Sequence, residues 1–293
     1  MTIPAPSGSS LQSQRKPSWL KRPIARRGKQ KVVQHHLSVS GLHTVCREAR
    51  CPNRGECFSR GTATFLVMGT DCTRHCTFCS VGKRNPGKLD WSEIGRVVDA
   101  ARSMHLSHVV ITSVTRDDLS DGGAAFFAAL MEAFNTKLPG VTVELLIPDL
   151  GGDHAAQSVV FNSRPTVLNH NVETVPARYP TIRPQADYHR SLELLSRAAS
   201  AGLVTKSGLM VGLGETPDEI YAVLDDLNEC GCRIVTIGQY LQPTPQQINV
   251  AAFVAPEQFA AYKRHGENRG ITRVVAGPFV RSSYHAAEVL GEL

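Results

Sequence analysis

The sequence predicts a parallel α/β fold, a partial (β/α)6 TIM-like barrel, on three observations: apolar β-branched segments of strand length, amphipathic helical segments between most of them, and polar motifs placed directly after strands. The strand candidates are Thr64–Met68, His108–Ser113, Val141–Ile147, Thr166–Asn171, Ser207–Val211, Arg233–Gly238 and Ile271–Val280. The helix candidates, Trp91–His105, Ala124–Lys137, His189–Ala201, Asp218–Cys230 and Glu257–Gly266, repeat apolar residues at three- and four-residue spacing, as one buried face requires. Pro217 suits an opening helical turn and Gly202 a helix stop. Strand–helix alternation implies parallel strands with helices outside. About six units fall short of the eight of a closed barrel, and a doubly wound open sheet is the other arrangement the alternation allows. In either fold ligands gather at the carboxyl ends of strands. Thr115-Arg-Asp-Asp118, Asn171-Val-Glu173 and Gly212-Leu-Gly-Glu215 fall there, so one face is expected to collect the chemistry.

Composition sets wider bounds. A chain of 293 residues, 42% hydrophobic, buries a large core as one barrel or as two ordinary domains. No apolar run approaches the roughly 18 to 20 residues that span a bilayer, so a soluble protein without membrane association is expected. The first 31 residues hold eight Lys or Arg, and the first acid is Glu48. They lack a signal-peptide core, and the basic stretch runs almost directly into the first cysteine motif, so a retained basic arm in a cytoplasmic protein is expected, an organellar leader and matrix being the alternative. The net charge of +6 and a pI near 9.0 suit an acidic protein partner, an anionic surface or nucleic acid. Nucleic acid ranks last, since no aromatic-and-basic pattern of an RNA-binding module accompanies the charge.

Six of the eight cysteines fall between Cys46 and Cys79, the others being Cys230 and Cys232. A secreted disulfide framework would normally be smaller and carry an export signal, so the clustering argues for metal. Cys72-x3-Cys76-x2-Cys79 follows the first strand candidate, and thiolates at such spacing can wrap one corner of a cubic iron–sulfur cluster, leaving one iron open. Zinc with His75 as fourth ligand is the competing reading, weakened by the adjacency of His75 and Cys76. A second triplet, Cys46-x4-Cys51-x5-Cys57, has Pro52 and Gly55 shaping its loops, against which stands a set of free buried thiols. Cys230 and Cys232 read as small buried hydrophobes.

The spacing of Cys72, Cys76 and Cys79, with aromatic Phe78 before the last, resembles the signature of the radical S-adenosyl-L-methionine (SAM) superfamily. The second triplet and its surroundings resemble the auxiliary-cluster motif of the lipoyl synthase family. The resemblance runs from Pro17 to Ala286 and includes Gly61-Thr-Ala-Thr-Phe65, Asp121-Gly-Gly-Ala124, Asn169-His-Asn-Val-Glu-Thr-Val175, Thr205-Lys-Ser-Gly-Leu-Met210 and Arg281-Ser-Ser-Tyr284. It implies a partial barrel of the radical SAM type and two 4Fe–4S clusters, one on Cys72, Cys76 and Cys79 with SAM at its open iron. The auxiliary cluster would sit on Cys46, Cys51 and Cys57 with Ser283 as a hard oxygen ligand among soft thiolates. Alone, Ser282 and Ser283 would read as a helix cap or turn pair.

Asn171 and Glu173 alternate so as to face one side of a predicted strand end. With Phe78, Gly212 and Gly214 they resemble the family's SAM-binding positions, the glycines letting backbone approach the adenine. A surface polar pair and a plain turn are the alternatives. Arg116, Asp117, Arg183 and Lys206 are substrate-contact candidates, although Arg116, Asp117 and Asp118 equally suit a structural salt-bridge network. Gln247 stands where family members commonly carry histidine, and Asn249 where proline is usual.

The implied reaction inserts two sulfur atoms at carbons 6 and 8 of an octanoyl chain on a carrier-protein lysine, consuming two SAM. The implied partners are lipoyl carrier domains, namely E2 subunits of 2-oxoacid dehydrogenases and the glycine cleavage H protein, with flavodoxin or ferredoxin as electron donor. No ordinary acid–base pair removes hydrogen from such a carbon, so none is expected. A biotin-synthase-like enzyme and a non-catalytic iron–sulfur or zinc scaffold are the competing functions. The expected organisation is an arm and auxiliary-cluster extension over 1–60, a barrel core over 61–270 and a serine-bearing segment over 271–293.

Overall fold

The computed structural model describes residues 15–21, 30–60 and 62–291. In chain order the elements are α1 (Gln30–Val39), β1 (His43–Thr44), α2 (Val45–Glu48), α3 (Arg54–Ser59), β2 (Thr64–Val67), α4 (Glu93–Ser103), β3 (His108–Ser113), α5 (Ala124–Lys137), β4 (Thr142–Leu146) and α6 (His154–Asn162). Then follow β5 (Val167–Asn169), α7 (Tyr179–Ile182), α8 (Tyr188–Ser200), β6 (Val204–Val211), α9 (Pro217–Glu229), β7 (Ile234–Gln239), α10 (Pro256–Arg269), β8 (Arg273–Gly277) and α11 (Ala286–Gly291).

The strands form one sheet in the order β1 to β8, with β2 through β8 parallel and β1 antiparallel to β2. Six strand–helix units and a closing seventh parallel strand make the expected partial barrel. Partnered residues of a ladder share a face. One row runs Thr64, Val110, Glu144, Val167, Val204, and the next runs Leu66, Thr112, Leu146, Asn169, Lys206, Ile234. These rows line the barrel. Alternate residues such as Phe65, Ile111, Leu145 and Leu168 pack outward into one apolar layer with α4, α5 and α6. Val235, Ile237 and Val274 do the same with α9 and α10.

Local chemistry explains the helix boundaries. Thr216 and Glu219 form a reciprocal capping box at α9, with Pro217 in its first turn. Asp153 caps α6 by accepting from the amides of Ala155 and Ala156.

Several features depart from expectation. Residues up to about 40 read as an arm without periodicity, but α1 forms within them because Val33 and Leu37, one turn apart, are buried in the core. The rest of that arm, and Gly61, lie outside the described residues. Helix α6 was not expected, since its nine residues offer too short an apolar pattern between glycine-rich turns. Among the described residues no helix is long and apolar enough to cross a membrane.

Candidate iron–sulfur and SAM site

After β2 the backbone turns through Met68 and Gly69, both at positive φ, into the loop that carries Cys72, Cys76 and Cys79. The loop is fastened at several points. The Cys72 amide donates to Gly82 O at 2.7 Å, the Thr77 amide to Ile182 O at 3.0 Å, and the Ile248 amide to Thr77 O at 3.1 Å. Arg74, buried between the first two cysteines, donates to Asp117 Oδ1 at 2.8 Å and to Asp149 Oδ1 at 2.6 Å. Cys72 Sγ accepts from the amides of Arg74 at 3.4 Å and Thr115 at 3.3 Å. Burial pushes the Cys76 thiol up and Cys79 up to about 12, neighbouring sulfurs adding repulsion, so these groups become thiolates only against a cation. His75 is exposed and turned to Gln185, its Nδ1 3.2 Å from Gln185 Oε1, which removes it from the zinc reading.

Asn171 and Glu173 lie just past β5. Asn171 Nδ2 donates to Glu173 Oε1 at 3.1 Å, and Glu173 adopts a left-handed conformation. Burial raises the Glu173 carboxyl, opposed by Arg183, Asn171 and Arg281. Arg183 Nη1 donates to Asn171 O, Val172 O and Tyr179 Oη, each at 3.1 Å, close enough to Cys76 to lower that thiol against its burial. Among the described residues its buried Nε has no partner. Such a donor, beside a carboxylate and three thiols, suits a polar ligand at a cluster. Phe78 packs with Leu213, Ile182 and Tyr240, so Phe78 and the glycine turn meet at one wall. Gly212 and Gly214 both need positive φ, and the Leu213 amide donates to Glu215 Oε2 at 2.8 Å.

The second triplet gathers around a cavity of about 250 Å³ lined by Cys46, Cys51, Cys57, Thr64, His108 and Ser283. Cys46 rides on α2 and Cys57 on α3, with Cys51 in the turn between. Thr64 Oγ1 donates to Ser283 Oγ at 2.7 Å. Tyr284 Oη donates to Glu56 Oε1 at 2.9 Å, and Asn53 Nδ2 to Phe279 O at 2.6 Å, so two tethers hold the C-terminal segment against α3. Burial and mutual repulsion push Cys46 to about 11 and Cys57 to about 12. The buried Asn53 Oδ1 and His108 Nε2 have no hydrogen-bond partner among the described residues. Three soft thiols and one hard hydroxyl form a donor set that fits a four-iron cluster. Among the described residues no three His, Cys, Asp or Glu side chains converge as one metal ion requires.

The two triplets do not share one face. Thr64 and His108 begin β2 and β3, whereas the Cys72–Cys79 loop follows the end of β2. Four residues at about 3.3 Å each separate the two ends by on the order of 13 Å along the strand. The carboxyl face collects the first triplet, Asn171, Glu173 and the glycine turn; the second triplet and Ser283 lie at the opposite end, with the barrel interior between them.

The substrate-contact candidates take mostly internal partners. Arg116 is buried, donating to Asp118 Oδ1 and Oδ2 at 2.8 Å and to the carbonyls of Met68 and Gly87. Asp117 accepts from Arg74 and from Thr73 Oγ1 at 2.9 Å. Lys206 Nζ lies 2.9 Å from Glu144 Oε2 inside the barrel, both side chains 1% exposed. Sequence reasoning missed Glu144 and Asp149. An acid two residues after the strand candidate Val141–Ile147 was the available signal for Asp149. Gln247 Nε2 reaches Cys79 O at 3.4 Å, and Gln242 Nε2 donates to Asn249 Oδ1 at 3.1 Å, so both departures lie on the loop packed against the first triplet.

Comparison with known proteins extends this geometry. A model of the radical SAM superfamily matches residues 66–227. Lipoyl synthase of Caldanaerobacter subterraneus subsp. tengcongensis is 52% identical over 274 residues, 93% of this chain and 96% of that one. Lipoyl synthase of Chlorobaculum parvum is 50% identical over 274 residues, covering 93% and 94%. A crystal structure of methylornithine synthase shares the fold at a TM-score of 0.52 and 14% identity, over 84% of this chain and 81% of that one. The chain belongs to the lipoyl synthase family of the radical SAM superfamily.

Proposed function

We propose that this chain converts a protein-bound octanoyl-lysine to lipoyl-lysine by inserting sulfur at carbons 6 and 8. The observation that carries the reading is the pair of cysteine triplets at the two ends of β2, with Ser283 brought to the second from the far end of the chain. Cys72, Cys76 and Cys79 would hold the SAM-binding cluster, and Cys46, Cys51, Cys57 and Ser283 the auxiliary one. When bound, the first group and SAM supply a carbon radical able to remove hydrogen from an unactivated carbon, and the second supplies sulfur.

The residues of the chain position and enclose. The Arg74–Asp117–Asp149 network fixes the first cysteine loop. Asn171 and Glu173 present a carboxamide and a carboxylate for the ribose and methionyl groups, and Arg183 shields that carboxylate from its own burial. Phe78, Leu213 and Tyr240 form an apolar wall that excludes water. Thr64 holds the Ser283 hydroxyl at the second triplet. Ser283 would give a cluster held there one hard oxygen donor among soft thiolates.

The substrate is a lipoyl carrier domain, with E2 subunits and the glycine cleavage H protein as the specific carriers, and a flavodoxin or ferredoxin as reductant. The net charge of +6 supports steering of an acidic carrier. A cytoplasmic setting accords with such partners. Anaerobic reconstitution, iron and sulfide counting, and turnover with SAM and an octanoyl-lysyl peptide test the proposal. Two four-iron clusters and a doubly thiolated product are expected; one cluster, or an unchanged octanoyl chain, would refute it.

A further inference from the structure

The barrel interior contains a continuous run of side-chain hydrogen bonds. Lys206 pairs with Glu144, and Asn169 Nδ2 donates to Glu144 Oε1 at 2.7 Å and to Ser282 Oγ at 3.0 Å. Ser282 in turn donates to Asn171 Oδ1 at 2.7 Å, and Asn171 Nδ2 donates to Glu173 Oε1. The run therefore begins at a buried charge pair and ends at the proposed SAM contacts. Its link from the C-terminal segment is Ser282, the residue before the proposed cluster ligand Ser283.

The sense of this run is fixed. A hydroxyl has one proton, and Ser282 uses it on Asn171, which orients the Asn171 carboxamide with its amide toward Glu173. The other acceptor on the neighbouring side chain, Asn169 Oδ1, is buried and without a partner among the described residues. Turning it toward Ser282 would take Asn169 Nδ2 away from a buried carboxylate. Asn171 is equally confined, because a Cβ at Gly208 would stand 2.9 Å from its Oδ1. The C-terminal segment also lies tight against β7, where a Cβ at Gly238 would meet Val280 O and come within 3.0 Å of Arg281 Nη1. Arg281 through Tyr284 form one turn, the Tyr284 amide donating to Arg281 O at 2.9 Å. Ser282 and Ser283 consequently move together.

We propose that Ser282 is a positioning residue that couples the two cluster sites: its hydroxyl clasps the segment bearing Ser283 to the carboxamide of Asn171. A SAM molecule that engages Asn171 or Glu173 redistributes the hydrogen bonds Ser282 depends on, and this shifts Ser283 relative to Thr64 and the second triplet. By reciprocity, displacing Ser283 changes SAM affinity by the same factor. The inference rests on the assignment of Asn171 and Glu173 to SAM and of Ser283 to the auxiliary cluster.

Backbone hydrogen exchange of residues 279–288 in the reconstituted wild-type chain, with and without SAM, is the first test. SAM is expected to change protection at residues 281–285. Ser282→Ala should bind SAM about 5- to 10-fold more weakly, lose that SAM-dependent change, and form more 5′-deoxyadenosine per sulfur inserted. Ser282→Thr, which keeps the hydroxyl, should restore all three. Wild-type chain that bound SAM with no change at 281–285 would overturn the coupling even if Ser282→Ala failed to fold, as would Ser282→Ala with wild-type affinity and response. Wild-type chain that held both clusters yet bound no SAM would overturn the functional reading, and the clasp with it.

Discussion

Replacing Asp149 by Asn isolates what holds the first cysteine loop in place. Asp149 is 1% exposed; it accepts from Arg74 Nη2 at 2.6 Å, from Arg190 Nη1 at 3.4 Å and from the Gly151 amide at 3.1 Å. Burial alone would raise its carboxyl, but the Arg74 hydrogen bonds and charge outweigh burial and hold it at about 2, below the ordinary 3.8. That depression corresponds to roughly 2 kcal/mol of stability at pH 7. Because the folded-state value is depressed, this contribution is present above about pH 4 and is lost as pH falls toward 2. Solvent offers little screening, with Arg74 itself only 6% exposed. Removing one member of a buried pair often costs about 3–5 kcal/mol; here Asp117 still grips Arg74, so about 2 kcal/mol is expected. Urea unfolding of cluster-free wild-type and Asp149→Asn chains at pH 7 reads the difference, and iron release after reconstitution reads the loop. A difference below about 0.5 kcal/mol with unchanged iron release would refute the argument that this pair pins the loop.

Other consequences can be measured the same way. Lys206→Met strands the buried Glu144 carboxylate and should cost about 3–5 kcal/mol in urea unfolding, while adding Glu144→Leu should recover a large part. His170, fully buried with Nδ1 donating to Ile147 O at 2.8 Å, is held at about 4 by burial and by nearby arginines. Its depression from 6.5 means that stability falls by roughly 3 kcal/mol as pH drops from about 6.5 to about 4, with no effect above; His170→Gln should flatten that slope. Thr216→Ala removes the α9 capping box and should lower stability by about 1 kcal/mol. Turnover with an intact acidic carrier domain should weaken as salt rises, whereas turnover with a short octanoyl-lysyl peptide should change little.

What was legible in the sequence follows from the range of the interactions. His108–Ser113 was placed to the residue because a β-branched run between polar neighbours is local information. The seven parallel strands and five of the helices between them were read for the same reason. Helix α6 escaped because only nine residues carry its pattern, and α1 because two buried residues in a polar stretch give no periodicity. The first cysteine triplet is a local motif, and spacing sufficed. Ser283 meets Thr64 across 219 positions, which no local rule contains, and only family resemblance pointed to it. Asp117 and Arg116 drew attention as charges after a strand, yet their partners, Arg74 and Asp118, make them supports of the loop. Placing the second triplet at the amino-terminal end of β2 required the fold itself.

In the proposed reaction the sulfur that enters the product comes from the group held by the second triplet and Ser283. Mass spectrometry of the octanoyl-lysyl peptide after a single turnover, using chain whose clusters were rebuilt with isotopically labelled sulfide, tests this directly. Product carrying two labelled sulfur atoms is expected from wild-type chain, and none from Cys57→Ala. Unlabelled sulfur in the wild-type product, or full labelling from Cys57→Ala, would contradict it.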